Sequence, residues 1–358
     1  MLSEARGGGW FVAGTQQQRQ HPQNPPLSSR RVFCFLAKGI YTRRLSVNRS
    51  HMAEPYNVIA VPASTSNLGP GFDALSVALD LHLRLRVLDV RPDVSGEVRY
   101  EFEGPAPDGE NRIDTAYRLA CRRFGTPVMG LHVRVSSEIP MAAGLGSSAA
   151  AAIAGFRLYE AGRAVPLDAD GMLAMATELE GHPDNAAAAL LGGITVSCQT
   201  DDGRVMARAW KWPDAIRFVI ATPDSGLETK QARAALPASI PLSDAISNLQ
   251  RALLFLRALE TGDYDDIREA VKDRWHQPAR AALVPGLTEA LAIDHPSVLG
   301  VCLSGAGPSV LALAAPNRSE EAASALGDVY RRLGIAHTIR NLAVHQPATH
   351  TAAAPAAR

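Results

Sequence analysis

The chain has 358 residues, 46% of them apolar and 20% charged, with lysine plus arginine equal to aspartate plus glutamate at 36 each. That length suits two domains sharing one cleft. The balanced charge excludes the uniform field of a nucleic-acid or anionic-membrane binder, and no run nears the ~18 apolar residues of a membrane span. Neither nucleic acid nor membrane is therefore expected as a partner. Four cysteines (Cys34, Cys121, Cys198, Cys302) are scattered without CxxC or metal-ligand spacing, which reads as reduced core thiols in a cytoplasmic protein.

Residues 1–51 carry eight Lys/Arg against one acid, Glu4, and cannot bury a core. Two readings fit: an Arg-rich organelle leader, or a start assigned upstream of Met52, the second being preferred. The body then alternates strand-like and helix-like stretches. Val58–Val61 reads as a strand, and residues 79–87 alternate with period two as a half-buried strand does. A helix is expected over 113–124, a strand at Leu131–Val135, and helices over Ser148–Gly162 and Asp168–Glu180. A strand at Gly193–Cys198 leads to an Asp201-Asp202-Gly203 turn, and another strand covers Arg217–Ala221. Helices are expected around Ser243–Glu260 and Asp265–Arg274, a strand pair flanking Ser304–Pro308, a helix at Ser319–Leu333 and a last strand at His337–Val344. The pattern is α+β in two parts, 52–212 and 213–345, with an Ala/Pro/Thr-rich tail, 346–358, expected to be frayed.

The strongest local signal is Pro140, Met141, Ala142, Ala143, Gly144, Leu145, Gly146, Ser147, Ser148, Ala149 and Ala150, between a strand and a helix. Glycines without Cβ let backbone approach an anion, and the free N–H groups and dipole of a helix's first turn attract it. Two serine hydroxyls can bond phosphate oxygens or ligate Mg2+. A plain glycine turn with Ser147 or Ser148 as N-cap uses the same letters. The run is neither a Walker A loop nor GxGxxG, which argues against a Rossmann dinucleotide enzyme.

This run resembles the ATP-binding signature of the GHMP kinases, and two further motifs similar to theirs occur in order. One is Pro62-Ala-Ser-Thr-Ser-Asn67-Leu-Gly-Pro-Gly-Phe-Asp73, the other Leu303-Ser-Gly-Ala-Gly-Pro-Ser309. The resemblance covers residues 56 to about 344. It implies an N-terminal domain like ribosomal protein S5 domain 2, including a left-handed βαβ crossover, a ferredoxin-like C-terminal domain, and ATP with Mg2+.

Among these kinases the details resemble the homoserine kinase branch, which implies L-homoserine as the small-molecule substrate. The resemblance assigns Asn67, Asp73, Asn185, Thr229, Arg233 and Arg280 to substrate: acceptors such as Asp73 suit an ammonium, and arginine forks suit a carboxylate. Glu178-Leu-Glu180-Gly-His182-Pro-Asp184-Asn185 is similar to the segment that supplies a glutamate to Mg2+. Glu178 and Glu180 point to opposite helix faces, so only one can serve; Glu178 is taken, beside Ser147 and Ser148. His182 is given no catalytic role. Asp184 and Asn185 are the catalytic candidates, with proton transfer from the hydroxyl going either to Asp184 or to a phosphate oxygen. A mevalonate-type or sugar kinase is the alternative, as is a relative that binds ATP without turnover. A homodimer is the expected assembly, with no residue singled out for it.

Overall fold

The computed structural model describes residues 58–91, 96–107, 109–163 and 166–347. The expectations for residues 1–51, for Cys34 and for 348–358 lie outside them.

The first half is a six-stranded sheet with helices packed on it. β1 (Val58–Asn67) and the 21-residue β2 (Gly71–Arg91) form an antiparallel hairpin. Its turn places Asn67, Leu68 and Gly69 at positive φ, and a Cβ on Gly69 would meet the Val271 carbonyl oxygen at 2.0 Å. That close approach admits only glycine. β3 (Val98–Phe102), α1 (Arg112–Arg123) and β4 (Gly130–Ser137) follow, with β3 and β4 parallel and α1 as the crossover. α1 starts where the Asn111 side chain accepts from Ile113 N, and Arg122 and Arg123 complement its C-terminal dipole. Next come α2 (Ser147–Arg163), α3 (Ala169–Glu180), α4 (Asp184–Leu191), β5 (Ile194–Gln199) and β6 (Val205–Trp210). The sheet order is β3-β4-β2-β5-β6, with β1 also against β2. α3 begins under the Asp168 cap and stops at left-handed Gly181, which fixes the face that Glu180 presents.

β7 (Arg217–Pro223) opens a second sheet, followed by α5 (Thr229–Ala234), α6 (Leu242–Thr261), α7 (Ile267–Ala270), α8 (His276–Arg280) and α9 (Leu287–Leu291). β8 (Val298–Leu303), β9 (Val310–Ala314), α10 (Ser319–Arg332) and β10 (His337–Leu342) complete it. The order β10-β7-β9-β8, all pairs antiparallel, is the ferredoxin-like arrangement. One apolar core runs from β1 and α2 through Trp212, Phe218 and Phe255 to Leu311, so the two sheets pack as one body.

Three expectations are corrected. The helix over 265–274 is only Ile267–Ala270: the Asp273 carboxylate accepts from Trp275 N (3.0 Å) and Gln277 N (2.7 Å), stopping one helix and capping α8. The frayed tail does not begin at Gln346, whose side chain bonds Trp212 N and O, both at 3.0 Å. Residues 181–192, expected to hold no element, form α4, and two further short strands, β3 and β6, join the sheet: β3 alternates over only five residues and β6 carries Met206 and Trp210 on its exposed face.

Candidate active site

The three motifs converge. The glycine loop is hung between the β1 motif and the β8–β9 hairpin: Ser64 N donates to Leu145 O (3.1 Å), Ser309 N to Ala143 O (3.3 Å), and Leu227 N to Ala142 O (3.1 Å). Ser304 Oγ donates to Gly144 O (2.7 Å) and lies 2.8 Å from Thr65 Oγ1. Gly144 and Gly146 have φ of 73° and 67°. A Cβ on Gly144 would stand 2.3 Å from Ser304 O, and one on Gly146 2.0 Å from Ser64 Oγ. Both glycines are therefore required by contact as well as by φ. The loop runs into α2, whose first turn holds no acid, and residues 146–149 at this positive dipole end line a cleft.

Two cavities flank this loop. A cleft of about 550 Å3 lies on one side, lined by Asn67, Asp73, His182, Thr229, Arg233 and Arg280 together with residues 142–149 of the loop. A second cavity of about 510 Å3, lined by Phe102, Pro105, Pro107, Ile139, Pro140 and Met141 among others, lies on the other. Ser147, Ser148, Ala142 and Arg112 belong to both. Ala150, the last of the loop run, is fully buried behind it.

In the cleft, Arg233 grips Asp73 with two bonds, 3.1 and 2.7 Å, and faces the Phe72 ring 5.7 Å from its centroid. Arg280 is only 2% exposed. Its Nε donates to Ala232 O and its Nη1 to Gly305 O, each at 3.1 Å, and Nη1 lies 3.4 Å from His276 Nδ1. His276 Nε2 donates to Gly69 O at 2.7 Å, leaving Nδ1 to accept; burial first, then its cationic neighbour Arg280, holds that imidazole below its usual range, the nearby Asp273 carboxylate notwithstanding. Burial, with Arg233 close by, lowers the Arg280 guanidinium to about 10. An anion arriving here would offset the repulsion from Arg233 and give the buried charge a partner. Asn67 Nδ2 donates to Gly305 O (2.9 Å) and its Oδ1 accepts from Asp73 N (3.0 Å), so Asn67 ties the β1 turn to the far hairpin.

His182 Nδ1 lies 2.5 Å from Asp184 Oδ1, which also accepts from Asn185 N at 2.7 Å. Burial opposes the charge on Asp184, yet the hydrogen bond and charge of His182, the Asn185 amide and Ser66 outweigh it and hold the carboxyl below its usual range. Burial likewise opposes His182, and Asp184 raises it in return. The Asn185 amide is spent on two serines: Oδ1 accepts from Ser64 (2.9 Å) and Nδ2 donates to Ser66 (3.1 Å).

Glu178 is a correction. Its carboxylate points out of the cleft, 53% exposed, and pairs with Arg123 at 2.5 Å. Glu180, on the opposite face of α3 and 11% exposed, accepts from Ser148 Oγ at 2.7 Å and lies 3.6 Å from Arg112. Sequence spacing separates the two glutamates but does not say which face of α3 meets the loop. His182, Phe72, Lys230 and Arg112 also line the cleft. His182 stands in the same motif as Asp184, two residues before it, whereas Arg112 stands on α1 in no motif.

The family models for the "GHMP kinases N terminal domain" and "GHMP kinases C terminal" match residues 111–193 and 255–332. A homoserine kinase of Thermus thermophilus is 41% identical over 256 residues, 71% of this chain and 85% of its own length. One of Moorella thermoacetica is 38% identical over 300 residues, 82% of this chain and 98% of that one. The solved homoserine kinase of Cytophaga hutchinsonii, at 24% identity, shares the fold with a TM-score of 0.69, covering 86% of this chain and 98% of its own. A glycine loop opening α2, two arginines lining the same cleft and relatives matched over most of their length agree: the chain belongs to the homoserine kinase family of the GHMP kinases.

Proposed function

We propose that this protein transfers the γ-phosphoryl group of ATP to the hydroxyl of L-homoserine, giving O-phospho-L-homoserine on the route to threonine. The observation that carries the reading is a single cleft in which the N-terminus of α2 faces Arg233 and Arg280 from the other half of the chain. A triphosphate laid over Gly144–Ser148 would reach both cavities. The second, walled by Phe102, prolines and Met141, suits a flat nucleobase, and the cleft suits the amino acid.

The Asp73–Arg233 pair supports an amino-acid substrate. A zwitterion offers an ammonium to Asp73 and a carboxylate to Arg233 and Arg280, exchanging one ion pair for two without burying net charge. Thr229, first residue of α5, adds a hydroxyl to the same wall. For Mg2+, the hydroxyls of Ser147 and Ser148 with the Glu180 carboxylate form a hard-oxygen donor set that fits its preference. When bound there it would neutralise charge on the triphosphate. Asp184, committed to His182 and Asn185 N and held below its usual range, is a weak base. We assign it and Asn185 to positioning, Asp184 holding His182 and Asn185 holding Ser64 and Ser66, while the hydroxyl proton leaves on a phosphate oxygen. Alignment and charge neutralisation then supply most of the acceleration.

We place the division between the halves at residues 212/213, with the two matched stretches on either side. We further propose a cytoplasmic enzyme; among the described residues no helix is long and apolar enough to cross a membrane, and Cys121, Cys198 and Cys302 are free thiols. A homodimer is proposed through α6, where Leu242, Ile246, Leu249 and Leu253, 46–76% exposed, recur at the heptad spacing of a coiled-coil seam.

The test of the activity is product identity. Incubation with MgATP and L-homoserine should yield O-phospho-L-homoserine by phosphorus NMR and mass; ADP release with homoserine recovered unchanged would refute the reading.

A further inference from the structure

Away from the cleft, β2 carries an irregularity. Pro62 pairs with His82 and Ala63 with Leu79, so Asp80 and Leu81 have no partner on β1. Such bulges re-aim side chains. The last described residues of the chain fill the gap: Asp80 N donates to Ala343 O (3.0 Å), His345 N to Ala78 O (3.0 Å), and Gly193 N to His345 O (2.8 Å). This strap brings His345 against His82, with Nε2 of His82 3.3 Å from Nδ1 of His345 and the rings edge to face at 5.2 Å.

A side-chain oxygen of Asp80 joins the two imidazoles, all three donors lying within 4.8 Å of one another. We propose that Asp80, His82 and His345 bind a borderline divalent cation of the Zn2+ class, which staples the C-terminal strap to β2. Four lines support it. Tetrahedral Zn–N bonds of about 2.0–2.1 Å put neighbouring nitrogens about 3.3 Å apart, the separation found here. Asp80 is 58% exposed at its side chain and free to swing inward. With Nε2 on the metal, His82 Nδ1 is turned toward Glu138, 3.9 Å away, the side on which a ligating histidine usually finds its outer carboxylate. Arg84 lies 2.9 Å from Glu138 and cancels its charge, leaving Asp80 as the local anion. Two imidazoles select against Mg2+, which prefers oxygen, so this site does not compete for the ion of the phosphoryl transfer.

The position gives the ion a structural consequence. Glu138 N bonds His82 O (2.9 Å) and Glu138 side-chain oxygen accepts from His82 N (2.8 Å), two residues ahead of Pro140, where the phosphate loop begins. A metal here would clamp the strap, β2 and the stem of that loop together.

The test uses the full chain without a polyhistidine tag, stripped with chelator, free of nucleotide, and titrated with Zn2+ by calorimetry and with Co2+ by visible absorption. The expected result is one equivalent bound with tetrahedral Co2+ bands and a Zn2+-dependent rise in Tm. His82→Gln and His345→Gln should each weaken binding at least tenfold, whereas His182→Gln, which alters the cleft cluster of Asp73, His182 and Asp184, should not. Asp80→Asn serves as a second probe should either histidine variant fail to fold, and it should also weaken binding. Absence of Co2+ bands in the wild type overturns the proposal, leaving a histidine–histidine hydrogen bond. Unchanged affinity in the folded variants does so too.

Discussion

Gly144→Ala probes how tightly the phosphate loop is held. The new Cβ would lie 2.3 Å from Ser304 O and 2.8 Å from Gly307 O, where ordinary contact begins at 3.4 Å. Both obstacles are backbone, and Ser304 is itself bonded to Gly144 O and Thr65, so the loop must give way by roughly 1 Å. A displacement of that size at a reacting centre costs on the order of 100-fold in rate. Alanine at φ 73° adds about 1–2 kcal/mol of strain to the fold. Gly203→Ala is the control: its φ is 82° and no atom lies within 4 Å of the added Cβ, so it carries strain alone. In a coupled ADP-release assay, Gly144→Ala should lose about two decades of kcat/KM and Gly203→Ala less than threefold, and Gly144→Ala, which adds the clash to the strain, should show the larger fall in Tm. A Gly144→Ala enzyme with near wild-type kcat/KM would refute the argument that loop placement sets the rate.

Glu180→Gln should raise the Mg2+ concentration for half-maximal activity at least tenfold, and Glu178→Gln no more than about twofold; a Mg2+ titration with the reverse order would return the metal to Glu178. Arg280→Ala should lose tenfold or more in kcat/KM, about 1.4 kcal/mol or more of transition-state stabilisation, and steady-state kinetics unchanged from wild type would remove it from the site. Asp184→Asn should lower the His182 titration midpoint seen by NMR, since Asp184 is what raises it against burial. The stability gap should follow: Asp184, held low, contributes above the ordinary carboxylate range and loses this as pH falls through its own lower pKa, while His182, held high, contributes below the ordinary imidazole range and loses this as pH rises through its raised pKa. The wild type should thus exceed Asp184→Asn in Tm most between about pH 4 and about pH 6.5, narrowing on both sides. Leu249→Glu, buried against a second copy, should halve the mass seen by light scattering; an unchanged mass would exclude the α6 seam.

What the sequence made legible was whatever geometry writes into residue type. Gly144 and Gly146 are legible because contacts and φ admit nothing larger, and Arg233 and Arg280 because their neighbours match a known pattern. The periods of β2 and α10 mark those elements because burial on one face repeats, whereas α2, buried nearly all round, is legible from its run of small residues. β3, Val98-Arg99-Tyr100-Glu101-Phe102, alternates as well but over only five residues, and β6 shows Met206 and Trp210 on its exposed face, so its hydropathy does not alternate with its burial. The choice between Glu178 and Glu180 depends on which side of α3 the loop lies, a tertiary fact. The Asp273 turn that ends α7 early and the pairing of Asp73 with Arg233, 160 residues apart, are long-range outcomes that no local window carries.

The reading of the cleft is tested most directly by kcat/KM for MgATP-dependent ADP release across L-homoserine, mevalonate, galactose and shikimate. The account predicts that L-homoserine exceeds each of the others by at least a hundredfold, and that Arg233→Ala erases most of that margin. A preference for mevalonate or galactose, or a margin that survives in Arg233→Ala, would contradict it.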